Sequence, residues 1–243
     1  MDLKDAVRSF VHSGDLLGFA GSGGRLSIAF AYELIRQKFS RLSFASAGTA
    51  APCLDLLVGA GAVKRAEISF TMVSCLNIKR AVESAGKSKK LLIEDYSNLG
   101  MSLRFFAGAS RIPFIPIRSL RGSDIERIRT FMGEEKIATL RSPFSDKSRV
   151  AVLPPCRPDV GVMHAQLADE EGDILTSGPS GSDAWLLRAS KRRIITIEKI
   201  VTKQFVREHN VHTFLPGFMV DAVSVVPYGA HPYGLVDCYD MDR

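Results

Sequence analysis

Long apolar runs are what this sequence lacks most clearly. Its longest apolar stretches, such as Ala50–Val63, are broken by proline, aspartate and glycine. They are shorter than the roughly 20 residues that span a bilayer. The segment Met1–Val11 is charged at several positions and has no apolar region of the kind that secretory signals carry. We therefore expect no membrane span and a cytoplasmic protein.

Closely spaced cysteines are also missing. The four cysteines, Cys53, Cys75, Cys156 and Cys238, lie far apart and form no Cys-x-x-Cys pair. This spacing argues against a zinc site and against a redox dithiol. We expect reduced thiols that pack as small apolar side chains, and no bound metal.

The net charge of +6 is not concentrated in a basic stripe interleaved with aromatic residues. The short clusters at Lys87–Lys90 and Lys191–Arg193 are typical of solvated surfaces. Such a pattern predicts no nucleic-acid partner. A mild positive bias does suit anionic substrates that carry phosphates.

Apolar runs alternate with helix-period segments along the whole chain, which predicts an α/β fold with an open, mostly parallel sheet and helices on both faces. Predicted strands are Asp15–Ala20, Leu42–Ala47, Ala66–Phe70, Leu91–Asp95, Val150–Leu153, Val160–His164, Ile194–Ile197 and Val220–Val226. Predicted helices are Leu26–Gln37, Leu54–Val58, Ile78–Ser84, a helix after Ser97 with an apolar face at Leu99, Leu103 and Phe106, and Asp183–Ala189.

We expect residues 1–243 to form a single domain, since the length suits one large α/β domain. A subdivision is possible near residues 134–148, which are polar and poor in strand signals. Residues Ile112–Ile117 contain two prolines and cannot form a central strand. The later part of the chain is expected to be antiparallel or mixed.

A glycine-rich loop follows the first predicted strand and opens a helix. It contains Gly21, Ser22, Gly23 and Gly24. The spacing matches neither the Gly-x-Gly-x-x-Gly dinucleotide fingerprint nor a P-loop, which needs Gly-Lys-Ser/Thr. Two readings stay open: a backbone cradle for an anionic or substrate group, or a tight turn without a ligand.

Two polar residues stand just beyond the ends of predicted strands, where open α/β sheets bind ligands. Ser69 and Asn98 could each hydrogen-bond a substrate carbonyl or carboxylate, or satisfy only the local backbone. Arg118 is either a cation for an anionic ligand or part of an ion pair. For His231 we favour a structural role, and for Trp185 a place in the core.

An ordered series of segments resembles the α (A) subunits of family I coenzyme A transferases, especially the glutaconate and 3-oxoacid branch. The series covers nearly the whole chain. Its members are Asp15–Leu26, Gly59–Arg65, Leu103–Arg104, Pro113–Ser119, Arg157–Val160, His164–Gln166, Ala168–Gly172, Glu198–Val201, Leu215–Val223 and Pro227–Pro232.

This resemblance implies the open α/β fold shared with ribose-5-phosphate isomerases and glucosamine-6-phosphate deaminases. It also implies a β-type partner subunit in an α2β2 assembly, with the active site between the two chains. In that family a glutamate on the β-type chain attacks the acyl-CoA thioester, so no catalytic nucleophile is expected here. Asp169–Gly172 is better explained as a solvated turn. Coenzyme A would be substrate and product, without a tightly bound cofactor.

Other functions are possible on the same scaffold. Some relatives hydrolyse CoA thioesters and open rings in steroid breakdown, and a non-enzymatic ligand-binding protein is a further alternative. A sugar-phosphate isomerase would need its acid–base residues in this chain. We find no suitably spaced set, because the histidines are dispersed.

Overall fold

The computed structural model describes residues 1–48, 50–69, 80–127, 136–144, 148–209 and 212–242. Its helices are α1 (Leu3–Phe10), α2 (Ile28–Arg36), α3 (Ala51–Gly59), α4 (Arg80–Lys87), α5 (Asn98–Ala109), α6 (Asp124–Arg127), α7 (Asp183–Ala189) and α8 (Lys203–Glu208). Its strands are β1 (Leu16–Phe19), β2 (Leu42–Ser46), β3 (Val63–Ile68), β4 (Leu92–Asp95), β5 (Ile115–Ile117), β6 (Ala138–Arg141), β7 (Arg149–Leu153), β8 (Val160–Asp169), β9 (Ile174–Leu175), β10 (Arg192–Val201), β11 (Thr213–Leu215) and β12 (Ala222–Val225).

The main sheet is almost entirely parallel. Its strand order is β4-β3-β2-β1-β8-β10-β12, and each of these neighbouring pairs is parallel. Strand β9 runs antiparallel to the far end of β8, and β11 pairs antiparallel with β9. A second, antiparallel sheet has the order β5-β7-β6. The predicted open, mostly parallel sheet with a mixed later portion is therefore confirmed.

Two apolar cores lie on opposite faces of the main sheet, because successive side chains of a strand point to opposite faces. In β1, Leu17 and Phe19 pack into a core with helices α1, α2 and α3. The adjacent Leu16 and Ala20 pack into the other core, with α5 and α7. Phe19 also stacks on Phe44 of β2, with ring centroids 4.8 Å apart. The sheet is thus covered by helices on both faces, as predicted.

Most predicted elements are confirmed with small shifts at their ends. Strands β8 and β10 are longer than predicted because they pair with each other along their length. Helix α1 was not predicted. Strand β5, which contains Pro116, lies at an edge of the small sheet, as its prolines require. None of the helices in the described ranges has the length and apolar character needed to cross a bilayer.

Helix α5 turns a different face to the core than its apolar pattern suggested. The buried side chains include Met101 and Phe105, which pack in the core beneath α5. Of the predicted apolar stripe, Leu103 and Phe106 are only half-buried, and Leu99 is 54% exposed. The stripe therefore lies at the margin of the core, against which Leu103 still packs, and it borders the site described below.

Some sequence predictions fall on residues outside the described ranges. These are Cys75, Phe70 at the end of a predicted strand, the first residues of the helix predicted over Ile78–Ser84, and 134–135 and 145–147 of the possible subdivision. Within that segment, strand β6 stands where we had found no strand signal. The organisation of 1–243 as one domain stays a prediction.

A buried polar cluster joins α5 to the main sheet. The Arg104 guanidinium pairs with Glu67 of β3 at 2.7 Å and lies over the Tyr96 ring, 4.0 Å from its centroid. Arg104 Nε also donates to the Pro154 carbonyl at 3.0 Å. Burial raises the pKa of Tyr96 well above its usual range, so its hydroxyl stays neutral. This cluster fixes the position of α5 over the sheet.

We expect Arg104→Ala to lower the free energy of unfolding by about 3–5 kcal/mol, because Glu67 would stay largely buried without its cation. Lys203→Ala is the matched control, since Lys203 also pairs with a glutamate, Glu171, but both of these side chains are exposed. It should cost much less than Arg104→Ala, because an ion pair between exposed side chains adds little stability. Urea denaturation measures both variants. Equal losses would show that the Arg104 cluster does not stabilise the fold in this way.

Candidate functional site

The candidate site lies at the carboxyl edge of the parallel sheet. Strands β1 to β4 are parallel neighbours, so their carboxyl ends meet at one edge. The glycine loop follows β1, Gly48 follows β2, Ser69 follows β3, and Asn98 stands shortly after β4. Open α/β sheets bind ligands at this kind of edge.

The glycine loop is a tight turn whose conformation requires glycine. Residues Ser22–Gly24 form a single 3-10 turn, and the φ angles of Gly23 and Gly24 are +65° and +82°. Side chains are unfavourable in this left-handed region. A Cβ on Gly24 would also collide with the carbonyl oxygen of Gly234. Both glycines are therefore needed to bring the backbone of this loop so close to its surroundings.

Asp183, the first residue of α7, holds the glycine loop. Its carboxylate accepts hydrogen bonds from the N–H groups of Gly21 and Ser22 at 3.3 and 3.1 Å, and from Ser22 Oγ at 3.1 Å. Arg25 Nε lies 3.5 Å from the same carboxylate. The Arg25 guanidinium also donates to the carbonyls of Ser177 at 2.8 Å and of Pro179. The buried ion pair thus connects the loop after β1 to the start of α7, and the Arg25 hydrogen bonds connect it to the segment before α7.

This arrangement limits what the loop can bind. The N–H groups of Gly21 and Ser22 donate to Asp183, so neither is available to donate to an anionic ligand. The donors that could still face a ligand are those of Gly23 and Gly24. Sequence reasoning missed Asp183 and Arg25 as organisers of the loop, because their partners lie more than 150 positions apart in sequence.

A crevice of about 250 Å³ opens beside the loop. Its lining brings together Ser22, Gly23, Ala47, Gly48, Asn98, Ser102, Gly181 and Ser182. Three of our candidate site residues, Ser22, Gly23 and Asn98, therefore line one cavity. The polar side chains among these residues are hydroxyls and one carboxamide, which can orient a carbonyl or carboxylate by hydrogen bonds.

The remaining candidates lie near the crevice without lining it. Gly21 and Gly24 belong to the same loop, and Ser69 follows β3, which lies between β2 and β4 in the sheet. Ser69 Oγ is buried, and no described group lies within hydrogen-bonding distance of it. A buried hydroxyl of this kind is costly unless something pairs with it. Arg118 is exposed and lies outside the described lining of the crevice.

A second polar cluster holds the carboxyl end of β10. His164 is fully buried between Thr196 at 2.8 Å and Glu198 at 2.7 Å. Glu198 also accepts hydrogen bonds from the Tyr228 N–H and the Tyr239 hydroxyl. Although burial acts to raise the pKa of Glu198, these hydrogen bonds lower it below its usual value. Every group of the cluster is satisfied within the fold, which fits a structural role for His164.

Two other residues of interest have clear surroundings. His231 lies at the surface and pairs with Asp242 at 2.8 Å, consistent with a structural role. The prediction that Trp185 belongs to the core is wrong, because its side chain is 37% exposed. The apolar helix pattern around Trp185 did not show that the first turn of α7 lies at the edge of the crevice.

A larger cavity of about 520 Å³ lies on the other side of the glycine loop. Gly23 and Gly24 form one wall, and residues 234–241 form the rest. Asp237 and Asp240 are part of this lining, so the cavity is poorly suited to phosphate groups. In the described ranges, no group of three or more His, Cys, Asp or Glu side chains is placed to hold a metal ion.

The fold and site define an open α/β protein with a hydrogen-bonding crevice at the carboxyl edge of its sheet. The sequence profile of the coenzyme A transferase family matches residues 1–225. The chain is 31% identical to the A-type subunit of glutaconate CoA-transferase from Acidaminococcus fermentans, over the whole chain and 79% of that protein. It is also 31% identical to the A-type subunit of 3-oxoadipate CoA-transferase from Pseudomonas knackmussii, over the whole chain and 84% of that protein. The chain therefore belongs to the coenzyme A transferase family.

Relatives with other activities are almost as similar. The cholesterol ring-cleaving hydrolase IpdA subunit of Rhodococcus jostii is 29% identical over the whole chain and 83% of that protein. Among solved structures, glutaconate CoA-transferase from Acidaminococcus fermentans gives a TM-score of 0.89, covering all of this chain and 80% of that one. The decarboxylase AibA/AibB gives a TM-score of 0.87 at 29% identity, covering 99% of this chain and 87% of that one. Sequence identity at this level establishes the family but does not define which reaction the chain takes part in.

We expect Gly24→Ala to disrupt the glycine loop, because the added Cβ meets both an unfavourable φ and the Gly234 carbonyl. Gly14→Ala is the matched control: its φ is +94°, but a Cβ there meets nothing within 4 Å. The control should lose about 1 kcal/mol from backbone strain, and Gly24→Ala clearly more. Thermal denaturation and amide hydrogen exchange of residues 21–25 measure the difference. Identical behaviour of the two variants would refute the close packing described for Gly24.

The Asp183 carboxylate should give the loop a pH dependence. Burial raises its pKa to about 6, despite the opposing effects of the Arg25 charge and the hydrogen bonds from Gly21 and Ser22. We therefore expect the amide resonances of Gly21 and Ser22 to titrate with a midpoint near pH 6. The Leu16 amide is the control, because it bonds Asp159 at 2.9 Å, whose pKa is lowered by that bond and by Lys191 although burial opposes them.

The sign of the accompanying stability change is also defined. The pKa of Asp183 is higher in the folded chain than the value of about 3.9 for an unfolded aspartate. The folded state therefore binds the proton more tightly between about pH 4 and pH 6, and this group alone makes stability rise as pH falls through that window. If the Gly21 and Ser22 amide resonances do not shift with pH above pH 5, the raised pKa of Asp183 is contradicted.

Proposed function

We propose that this chain is the A-type subunit of a heteromeric enzyme that transfers coenzyme A between an acyl-CoA and a carboxylic acid. Its partner would be a B-type subunit that supplies the nucleophilic glutamate, in a cytoplasmic α2β2 assembly. Coenzyme A would act as substrate and product, without a tightly bound cofactor. The observation that carries the proposal is the crevice at the carboxyl edge of the sheet, whose described lining offers hydrogen bonds but no carboxylate or imidazole.

The residues of the crevice would orient the acyl group rather than react with it. The Asn98 carboxamide and the Ser102 hydroxyl both line the cavity and can hydrogen-bond a carbonyl or carboxylate oxygen. The N–H groups of Gly23 and Gly24 would approach the substrate through the backbone, and Ser69 Oγ is a further donor at the same sheet edge. Covalent chemistry in this crevice would require a carboxylate from a second chain.

A hydrolase subunit is the second candidate. It is favoured by the full-length similarity to the ring-cleaving hydrolase subunit, which is nearly as strong as the similarity to the transferases. A hydrolase would use the same crevice to orient a CoA thioester, but water would replace the acceptor acid. A non-enzymatic ligand-binding relative would bind the acid without turnover.

Activity with and without the partner separates these functions. The chain should be co-produced with the product of the adjacent gene, and release and transfer of coenzyme A should be followed by chromatography. We expect no transfer by the chain alone, and transfer that depends on an acceptor acid by the complex. Coenzyme A release that needs no acceptor would favour the hydrolase. Full transferase activity of the isolated chain would refute the proposal.

Within an active complex, Asn98→Ala should lower kcat/KM by about 10- to 100-fold, because a hydrogen bond to a charged carboxylate contributes about 1.5–3 kcal/mol. A covalent adduct on the partner's glutamate should still form. Ser110→Ala, at the exposed far end of the same helix, is the control and should leave kcat/KM unchanged. Wild-type kinetics for Asn98→Ala with every acid tested would remove this residue from the site.

A further inference from the structure

A second cavity, of about 280 Å³, opens between α5 and α7. Its lining residues are Ser102, Leu103, Phe106, Gly181, Ser182 and Trp185. Ser102, Gly181 and Ser182 also line the crevice beside the glycine loop, so the two cavities adjoin along a shared wall. A group held by Asn98 in the crevice can therefore extend into the second cavity.

The wall away from the crevice is apolar and built from aromatic rings. Phe106 and Trp185 meet edge to face, with centroids 4.9 Å apart and planes at 86°. Trp185 remains 37% exposed, although burial of an aromatic side chain of this size is favourable. These rings and Leu103 make up the outward-facing stripe of α5 and the first turn of α7.

None of the described residues that line this cavity carries a charge. The nearest cation on α7, Arg188, lies over the Trp185 ring with 5.7 Å from its guanidinium carbon to the ring centroid, and it is not part of the lining. A carboxylate pushed into the cavity would lose water without gaining a cation or a donor fork, which is costly. A hydrocarbon group would instead bury apolar surface.

We propose that this cavity binds the hydrocarbon part of the acyl group, so that the protein acts on apolar monocarboxylic acyl chains of medium length or on aromatic acyl groups. This inference rests on the proposed function, since it uses the crevice as the site of the carboxyl or thioester group. The proposed acyl groups differ from the dicarboxylic acids that appear in the names of the two transferase relatives. The specificity-determining residues are Leu103, Phe106 and Trp185.

The single tryptophan of the chain makes binding directly observable. The purified full chain should be titrated with butyrate, pentanoate, hexanoate and octanoate, and with glutarate and adipate, while Trp185 fluorescence is recorded. We expect a saturable change with the monocarboxylates, and an affinity that rises by about fourfold for each methylene until the cavity is filled. The dicarboxylates should bind at least tenfold more weakly than the monocarboxylate of equal carbon number. Equal affinities for hexanoate and adipate would overturn the proposal.

A charge placed in the cavity should reverse this preference. Phe106→Lys introduces an ammonium group beside Trp185, so we expect weaker binding of hexanoate and stronger binding of adipate. Leu140→Lys adds the same charge on β6, where Leu140 is 44% exposed, and should leave both affinities unchanged. If Phe106→Lys does not fold, the chain-length series on the unmodified protein decides alone. Fluorescence that responds to the partner subunit but to no acid would show that a protein surface occupies the cavity, and would refute the proposal.

The same measurements in the complex separate this inference from the proposed function. Transfer with equal kcat/KM for hexanoyl-CoA and glutaryl-CoA would leave the transferase standing and remove the apolar subsite. Selective binding of hexanoate without any transfer, with an intact partner, would leave the subsite standing and remove the transferase. Transfer of hexanoyl-CoA with a higher kcat/KM than glutaryl-CoA would support both the transferase function and the apolar subsite.

Discussion

The site depends above all on the buried interaction of Asp183 with the glycine loop. An ionised carboxylate in such a place is costly unless its charge is paired and its oxygens receive hydrogen bonds. Arg25 supplies the charge, while the loop itself supplies the donors. The backbone after β1 and the start of α7 are thus held against each other, and the crevice is the space they leave beside α5. The same contact uses two of the loop's N–H groups, so the loop acts first as a structural element and only through its last glycines as a ligand contact.

A second buried ion pair fixes the opposite wall. Arg104 and Glu67 hold α5 against β3, and α5 carries Asn98 and Ser102 at its first turns. Both walls of the crevice are therefore positioned by charge pairs behind them, while the side chains that face the cavity are neutral. Breaking either pair would leave a buried charge, so the geometry of the crevice is tied to the stability of the fold.

Because the side chains that face the crevice are neutral, family membership alone does not define the reaction. Transferase, hydrolase and decarboxylase relatives have similar identity to this chain and share the fold. Under the proposed function, the crevice would orient the acyl group and a partner chain would supply the reactive group. The apolar stripe of α5 and Trp185 line a cavity that adjoins this crevice. Under the proposed function, this stripe and Trp185 would influence which acyl group is bound.

The sequence by itself determined most of the elements, the parallel sheet, the loop glycines and the family, because these depend on local periodicity, turn chemistry and ordered motifs. It also placed Asn98 and Ser22 at the sheet edge, where the structure has them line one cavity. The tertiary structure decided which face of α5 is buried and that Trp185 lines the cavity that adjoins the crevice. It alone revealed Asp183 as the anchor of the glycine loop, because that contact joins residues far apart in the chain and has no periodic signal. The buried ion pairs that position the site join residues that are distant in sequence, so only the folded chain brings them together.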